Sequence, residues 1–272
     1  MGYGYVKDYQ VIFRATLKSI VRDRLLQILL ACATLIFLAV PAFSIFSMRQ
    51  VQELSITLSL SAISFIFLIL SIILGSSSVW RDFDRRYLAS VLGLPISRNS
   101  YILGKFFGIT VFIMAGCLIL GLVAAAAIAL VSTQYPSDIP VRWLHVWIAI
   151  FFDSLKYTLV AAIALFFSSV STSFYFPFIA TLVIYFCGSA SQEVYEYILS
   201  DYGKSMSLTA RYIVNSQYYV LPNFAAFDFK VQAVYPLPLS LEGIVFTAIY
   251  FMCYTSIIIL ATIWTFNRRE LA

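Results

Sequence analysis

The chain has 272 residues and a formal net charge of +5; 61% of its residues are hydrophobic, only 11% are charged, and its mean hydropathy is +0.90. A soluble domain carries about 25% charged residues, so this much apolar surface exceeds what one globular core encloses, and a soluble enzyme or binding module is excluded. The basic balance, with a pI of about 9.0, comes with no basic stripe on a nucleic-acid-binding pattern, so no nucleic acid is expected as a partner.

Residues 5–23 set the first pattern: Tyr9, Ile12, Phe13, Leu17 and Ile20 recur at helical spacing, opposite Lys7, Arg14, Lys18 and Arg22. Such a two-sided helix lies along a membrane surface with its cations at the headgroups. Some 24 residues of this kind precede the first apolar run, far more than a short basic leader, so no cleaved signal peptide is expected. Six apolar runs follow, at 25–46, 56–79, 101–131, 146–169, 174–187 with some extension, and 241–266. A helix of about 20 residues crosses a hydrocarbon layer about 30 Å thick and satisfies its own backbone polar groups there. The runs are continuous rather than alternating with period two, which argues for helices and against a barrel. The expected fold is all-α: a polytopic membrane protein with about six transmembrane helices in a single domain, 1–272. "SSVSTS" at 168–173 is the one polar break between the fourth and fifth runs, and it carries no charge.

Between the second and third runs stands "RDFDRRYLASVLGLPISRNSYILGK", residues 81–105, with seven charged side chains. Phe83, Tyr87, Leu88, Val91 and Leu92 share a helical face, while Arg81, Asp82, Asp84, Arg85 and Arg86 fall mostly elsewhere. A short amphipathic helix is expected here, ended by Gly93 and Pro95, with Ser97 or Asn99 capping the next helix. Two readings of it stand. It rests on the lipid surface with its arginines at anionic headgroups, or it docks on a soluble partner, which Asp82 and Asp84 favour because anionic lipid repels them.

"GKFFG" at 104–108 has the G-x-x-x-G spacing of helix packing or a dimer contact. Asp153 and Lys156, three apart in the fourth run, can share a face and pair. Ionisable residues inside a membrane are functional candidates by default, and these two are candidate transport-path residues, expected in the outer half, where a lysine can snorkel. His145 has no second imidazole to work with and reads as an interfacial packing residue near Trp143. Cys32, Cys117, Cys187 and Cys253 occur singly in apolar runs, without metal or disulfide spacing, and read as small buried hydrophobes. No G-x-x-x-x-G-K-[ST] occurs, and "LGKFFG" lacks both its spacing and its hydroxyl. The chain is therefore expected to bind no ATP by itself, and no catalytic, cofactor or metal residues are assigned. Residues 190–240 are the one sizeable extramembrane segment. Tyr195, Tyr197, Tyr202, Tyr212, Tyr218 and Tyr219 there suit pieces resting on the outer interface, as a plain cover, an exit gate or a contact for a periplasmic partner.

Lys7, Arg14, Lys18, Arg22, Arg24, Arg81, Arg85, Arg86, Arg98, Lys105, Arg268 and Arg269 fall at one set of helix ends. The other set has Arg49, Arg142, Lys204, Arg211 and Lys230 over more residues. Basic residues stay on the cytoplasmic side, so both termini and the 81–105 loop are expected there, with Trp80 and Trp264 at the inner interface and Trp143 and Trp147 at the outer one.

The order of a basic amphipathic N-terminal helix, two apolar runs, the charged stretch and a third run resembles the ABC type-2 permease family, the membrane subunits of ATP-binding-cassette exporters. The resemblance is specific over about 25 residues, at Leu88, Ala89, Ser90, Leu92, Gly93, Leu94, Pro95, Ile96, Ser97, Arg98, Tyr101, Leu103, Gly104 and Lys105. A weaker similarity lies at "YVLPNFAAFDFK", 219–230. The family often has a Glu and a Gly at the head of the charged stretch, where this chain has Asp84 and Tyr87. The resemblance implies an elbow helix at residues 5–23 and a coupling helix at 81–97 seated in a cytosolic ABC ATPase subunit. Its contacts would be Arg81, Asp82, Phe83, Asp84, Arg85, Arg86, Tyr87, Leu88, Leu92, Pro95 and Arg98. ATP and magnesium would sit in that partner, and a second permease copy, in a homodimer or heterodimer, would complete the transporter, in a bacterial inner membrane.

Two other readings compete. A membrane scaffold recruiting cytosolic or periplasmic partners would work without ATP turnover. An intramembrane enzyme would need a His cluster, paired carboxylates or a Ser-Lys constellation at membrane depth, and none stands in the sequence.

Overall fold

The computed structural model describes residues 2–44, 50–84, 97–135, 140–200, 207–235 and 237–269. All regular structure among them is helical: α1 (Gly2–Val21), α2 (Arg24–Ser44), α3 (Val51–Asp84), α4 (Arg98–Gln134), α5 (Trp143–Val170), α6 (Tyr175–Leu199), α7 (Leu208–Val220), a 3-10 turn at Ala225–Phe227, α8 (Lys230–Val234) and α9 (Leu241–Arg268). Among the described residues, α2, α3, α4, α5 and α9 are long and apolar enough to cross a membrane. The fifth expected run, 174–187, lies in α6, which is not one of these five. Its apolar part ends near Gly188, and Ser189, Ser191, Gln192, Glu193 and Glu196 occupy the rest, so it falls short of the roughly 20 apolar residues a span needs.

The helix at the centre is α5. Its most apolar stretch is 89% buried, against 17% for that of α9. Apart from the Asp153–Lys156 pair and a few hydroxyl side chains it is apolar on every face, as a buried helix is, and it carries small residues where neighbours come close. At Gly75 of α3, a Cβ atom would lie 2.6 Å from the Ala161 carbonyl oxygen and also strike the Ala164 side chain. Only glycine lets α3 and α5 cross at this distance. The bundle core then runs through Leu60, Ile63, Phe67 and Leu70 of α3, Ile113 and Ala124 of α4, and Leu159 and Val160 of α5.

The surface helix α1 packs along the start of α4, where the G-x-x-x-G spacing finds its use. A Cβ at Gly104 would lie 2.7 Å from Cγ2 of Ile12, and one at Gly108 would lie 2.8 Å from Cγ2 of Thr16. Tyr9 meets Phe107 edge-on, with ring centroids 5.7 Å apart.

The segment after α7 turns back into the bundle. Pro222 cannot extend α7, and the Asn223 side chain accepts from the N–H groups of Ala225 (3.0 Å) and Ala226 (3.3 Å), winding the 3-10 turn. Phe224 and Phe227 are fully buried, and Phe229 packs on Phe152 at 4.7 Å. His145 is buried, its Nδ1 2.8 Å from the Gln232 carbonyl oxygen, so it pins α8 to the head of α5. Of the cysteines, Cys117 is buried and Cys187 half-buried, but Cys32 and Cys253 face outward. The expectation of four buried cysteines is thus corrected: in a membrane helix an apolar residue faces lipid as readily as protein.

Candidate partner-docking site

The backbone of α3 runs unbroken from Val51 to Asp84. Arg81, Asp82, Phe83 and Asp84 therefore continue the second span instead of opening a separate helix, since nothing between Val79 and Asp84 breaks it. Arg85, Arg86, Tyr87, Leu88, Leu92 and Pro95 lie outside the described residues, as does the amphipathic helix expected there. The two ends of chain that flank this loop are described, and both are tied down.

On the α3 side, Arg81 pairs with Asp23, in the link between α1 and α2. Asp82 accepts from the Tyr101 hydroxyl at 2.6 Å and pairs with Lys105 at 2.7 Å, both on α4. Lys105 also donates to the Ser78 carbonyl oxygen at 2.9 Å. The Trp80 N–H donates to Ser168 Oγ at 3.3 Å, and the Ser168 hydroxyl donates to the Ser76 carbonyl at 2.7 Å, joining the same end to α5.

On the α4 side, Ser97 has extended backbone and its Oγ accepts from the Ser100 N–H at 3.2 Å, the N-cap geometry. Asn99 instead accepts from the Asn267 side-chain amide at 2.9 Å. Arg98 donates to the carbonyl oxygens of Asn267 (3.0 Å) and Arg269 (3.2 Å), where the last turn of α9 leaves acceptors unused. Arg269 in turn donates to the carbonyls of Ser169 (2.7 Å) and Ser171 (3.1 Å) at the end of α5, and its burial lowers its pKa from the usual arginine value. One end of the bundle thus gathers the ends of α1, α3, α5 and α9 and the start of α4.

Asp153 and Lys156 form a second group, far from this root. They pair at 2.7 Å, with side chains 2% and 5% exposed. Ser64 of α3 donates to the second carboxylate oxygen at 2.5 Å, and the ammonium lies 5.0 Å from the Tyr157 ring centroid. The lysine does not snorkel; it is near the middle of the 28-residue α5 and enclosed by protein.

The sequence model of the ABC-2 family transporter protein matches residues 20–188, well over half the chain. The chain belongs to the ABC-2 transporter family. No individual curated protein matches it significantly. This ABC-2 family protein is a multi-pass membrane subunit of an ABC transporter, of a kind that in general catalyses no reaction itself and works in a dimeric assembly with an ATPase. The matched region holds the α3 and α4 sides of the root, the intervening loop and the Asp153–Lys156 pair. Asn267 and Arg269, which anchor Arg98, lie beyond it. Asp23 and Ser64 were not singled out from sequence, because a pair formed by residues 58 and 89 positions apart leaves no local signal.

Proposed function

We propose that this ABC-2 family protein is the permease subunit of an exporter, driven through loop 85–96 by a separate ATP-hydrolysing subunit and completed by a second permease copy. The observation that carries the reading is the root just described. Arg81 and Asp82 tie the incoming side of the loop to α1 and α4, while Ser97 and Arg98 fix its outgoing side to α4 and α9. A displacement of the loop therefore reaches several helices together, as rigid-body coupling requires. Phosphate chemistry belongs to the partner, where a P-loop and magnesium hold the nucleotide. The arginines and aromatic residues of the loop are types that carry docking energy. Both termini and the loop share the end richest in Lys and Arg, which is assigned to the cytoplasm of a bacterial inner membrane.

The test is affinity purification from membranes in mild detergent, comparing the native chain with one carrying Arg85→Ala, Arg86→Ala and Tyr87→Ala together. An ATP-hydrolysing subunit is expected to accompany the native chain and to be lost, at least tenfold, from the folded variant. If no such subunit accompanies either chain, the reading fails and a scaffold without transport takes its place.

A further inference from the structure

At the root of the loop, between α1, α3 and α4, lies a polar cavity of about 90 Å³. A cavity of this size has room for more than one water molecule, so it admits a small polar head group. Four charged side chains line it: Asp23, Arg81, Asp82 and Lys105. They form two adjacent ion pairs and sum to zero, so a bare anion or a bare cation meets no net attraction. A compact zwitterion meets both signs at once. Lys105 is 14% exposed and Arg81 33%, so the groups are reachable yet partly desolvated, where charge interactions exceed their value in water.

Position selects the carrier of that zwitterion. The cavity is walled on one side by α1, whose sequence is that of a surface helix. Trp80, beside Arg81 at the end of α3, is the residue type that marks the headgroup layer. Chemistry narrows the cationic part. Carboxylates accept N–H bonds, an ammonium offers three donors, and a trimethylammonium offers none and is bulkier. We infer that this cavity binds the head group of a phosphatidylethanolamine-type lipid, its phosphate toward Arg81 and Lys105 and its primary ammonium toward Asp23 and Asp82. The inference does not rest on the transport reading, although a lipid held here would brace the root of the loop.

The experiment is thermal unfolding of the purified chain in detergent micelles doped with phosphatidylethanolamine, phosphatidylcholine or phosphatidylglycerol of identical acyl chains. A parallel arm uses soluble phosphoethanolamine. The variant is Ser19→Phe: Ser19 is an exposed lining residue, so the larger side chain closes the cavity while both ion pairs stay intact. Phosphatidylethanolamine is expected to raise the Tm several degrees beyond the other two lipids, and the variant to lose this excess while melting normally in detergent alone. Equal shifts from all three lipids, a larger shift from phosphatidylglycerol, or an excess that survives in Ser19→Phe would overturn the site. A shift from soluble phosphoethanolamine with none from the lipid would overturn the membrane source.

Discussion

The Asp153–Lys156 pair shows what a single residue contributes. Its two charges are deeply buried, near mid-helix, and paired with each other, with Ser64 donating to the carboxylate, which makes it a pin between α5 and α3. Removing one partner of a buried pair costs about 3–5 kcal/mol, whereas replacing both with apolar side chains is often close to neutral. Lys156→Met and Asp153→Leu should therefore each lower the Tm sharply in detergent, and the double variant should recover most of the loss. Transport abolished by Lys156→Met with an unchanged Tm would instead return the pair to the transport path. The pairing was legible in the sequence, because residues three apart on a helix face one another. The serine was not, since its approach depends on how α3 crosses α5.

At the scale of elements, the packing of α1 on α4 depends on two glycines. The expected Cβ distances at Gly104 and Gly108, 2.7 and 2.8 Å from Ile12 and Thr16, leave no room for a side chain. Gly104→Leu with Gly108→Leu should lift α1 from α4. Trypsin should then cut at the exposed Arg14 and Lys18 at least several-fold faster, with the rest of the chain intact; an unchanged rate would mean that α1 is held by other contacts. The sequence contained the G-x-x-x-G spacing and the amphipathic stripe of α1 as separate facts. Joining them needed the fold, because 92 positions separate each glycine from its contact. The same holds for the segment after α7: Pro222, Asn223 and Phe224 stand out in the sequence by resemblance, but their roles as helix stop, turn former and core residue depend on their neighbours in the fold.

For the whole molecule, the gathering of the link after α1, both flanks of the charged loop and the last turn of α9 at one end sets up a topology measurement. A single cysteine introduced by Ser97→Cys, in a background without the native cysteines, should resist an impermeant thiol reagent applied to intact cells and react once the membrane is opened. Labelling in intact cells would invert the assignment. The sequence by itself determined that the chain is helical and embedded in a membrane, where five of its six apolar runs begin and end to within about five residues of the long apolar helices, and that the charged stretch between the second and third runs is set apart. Only the tertiary structure decided that α5 is the central helix while α9, a span of the same length, is mostly exposed. The physical reason is that lipid tails are as apolar as a protein core. Hydropathy therefore reports which segments leave water, while close crossings such as Gly75 on Ala161 and polar ties such as Asp82 to Lys105 determine which of them meet.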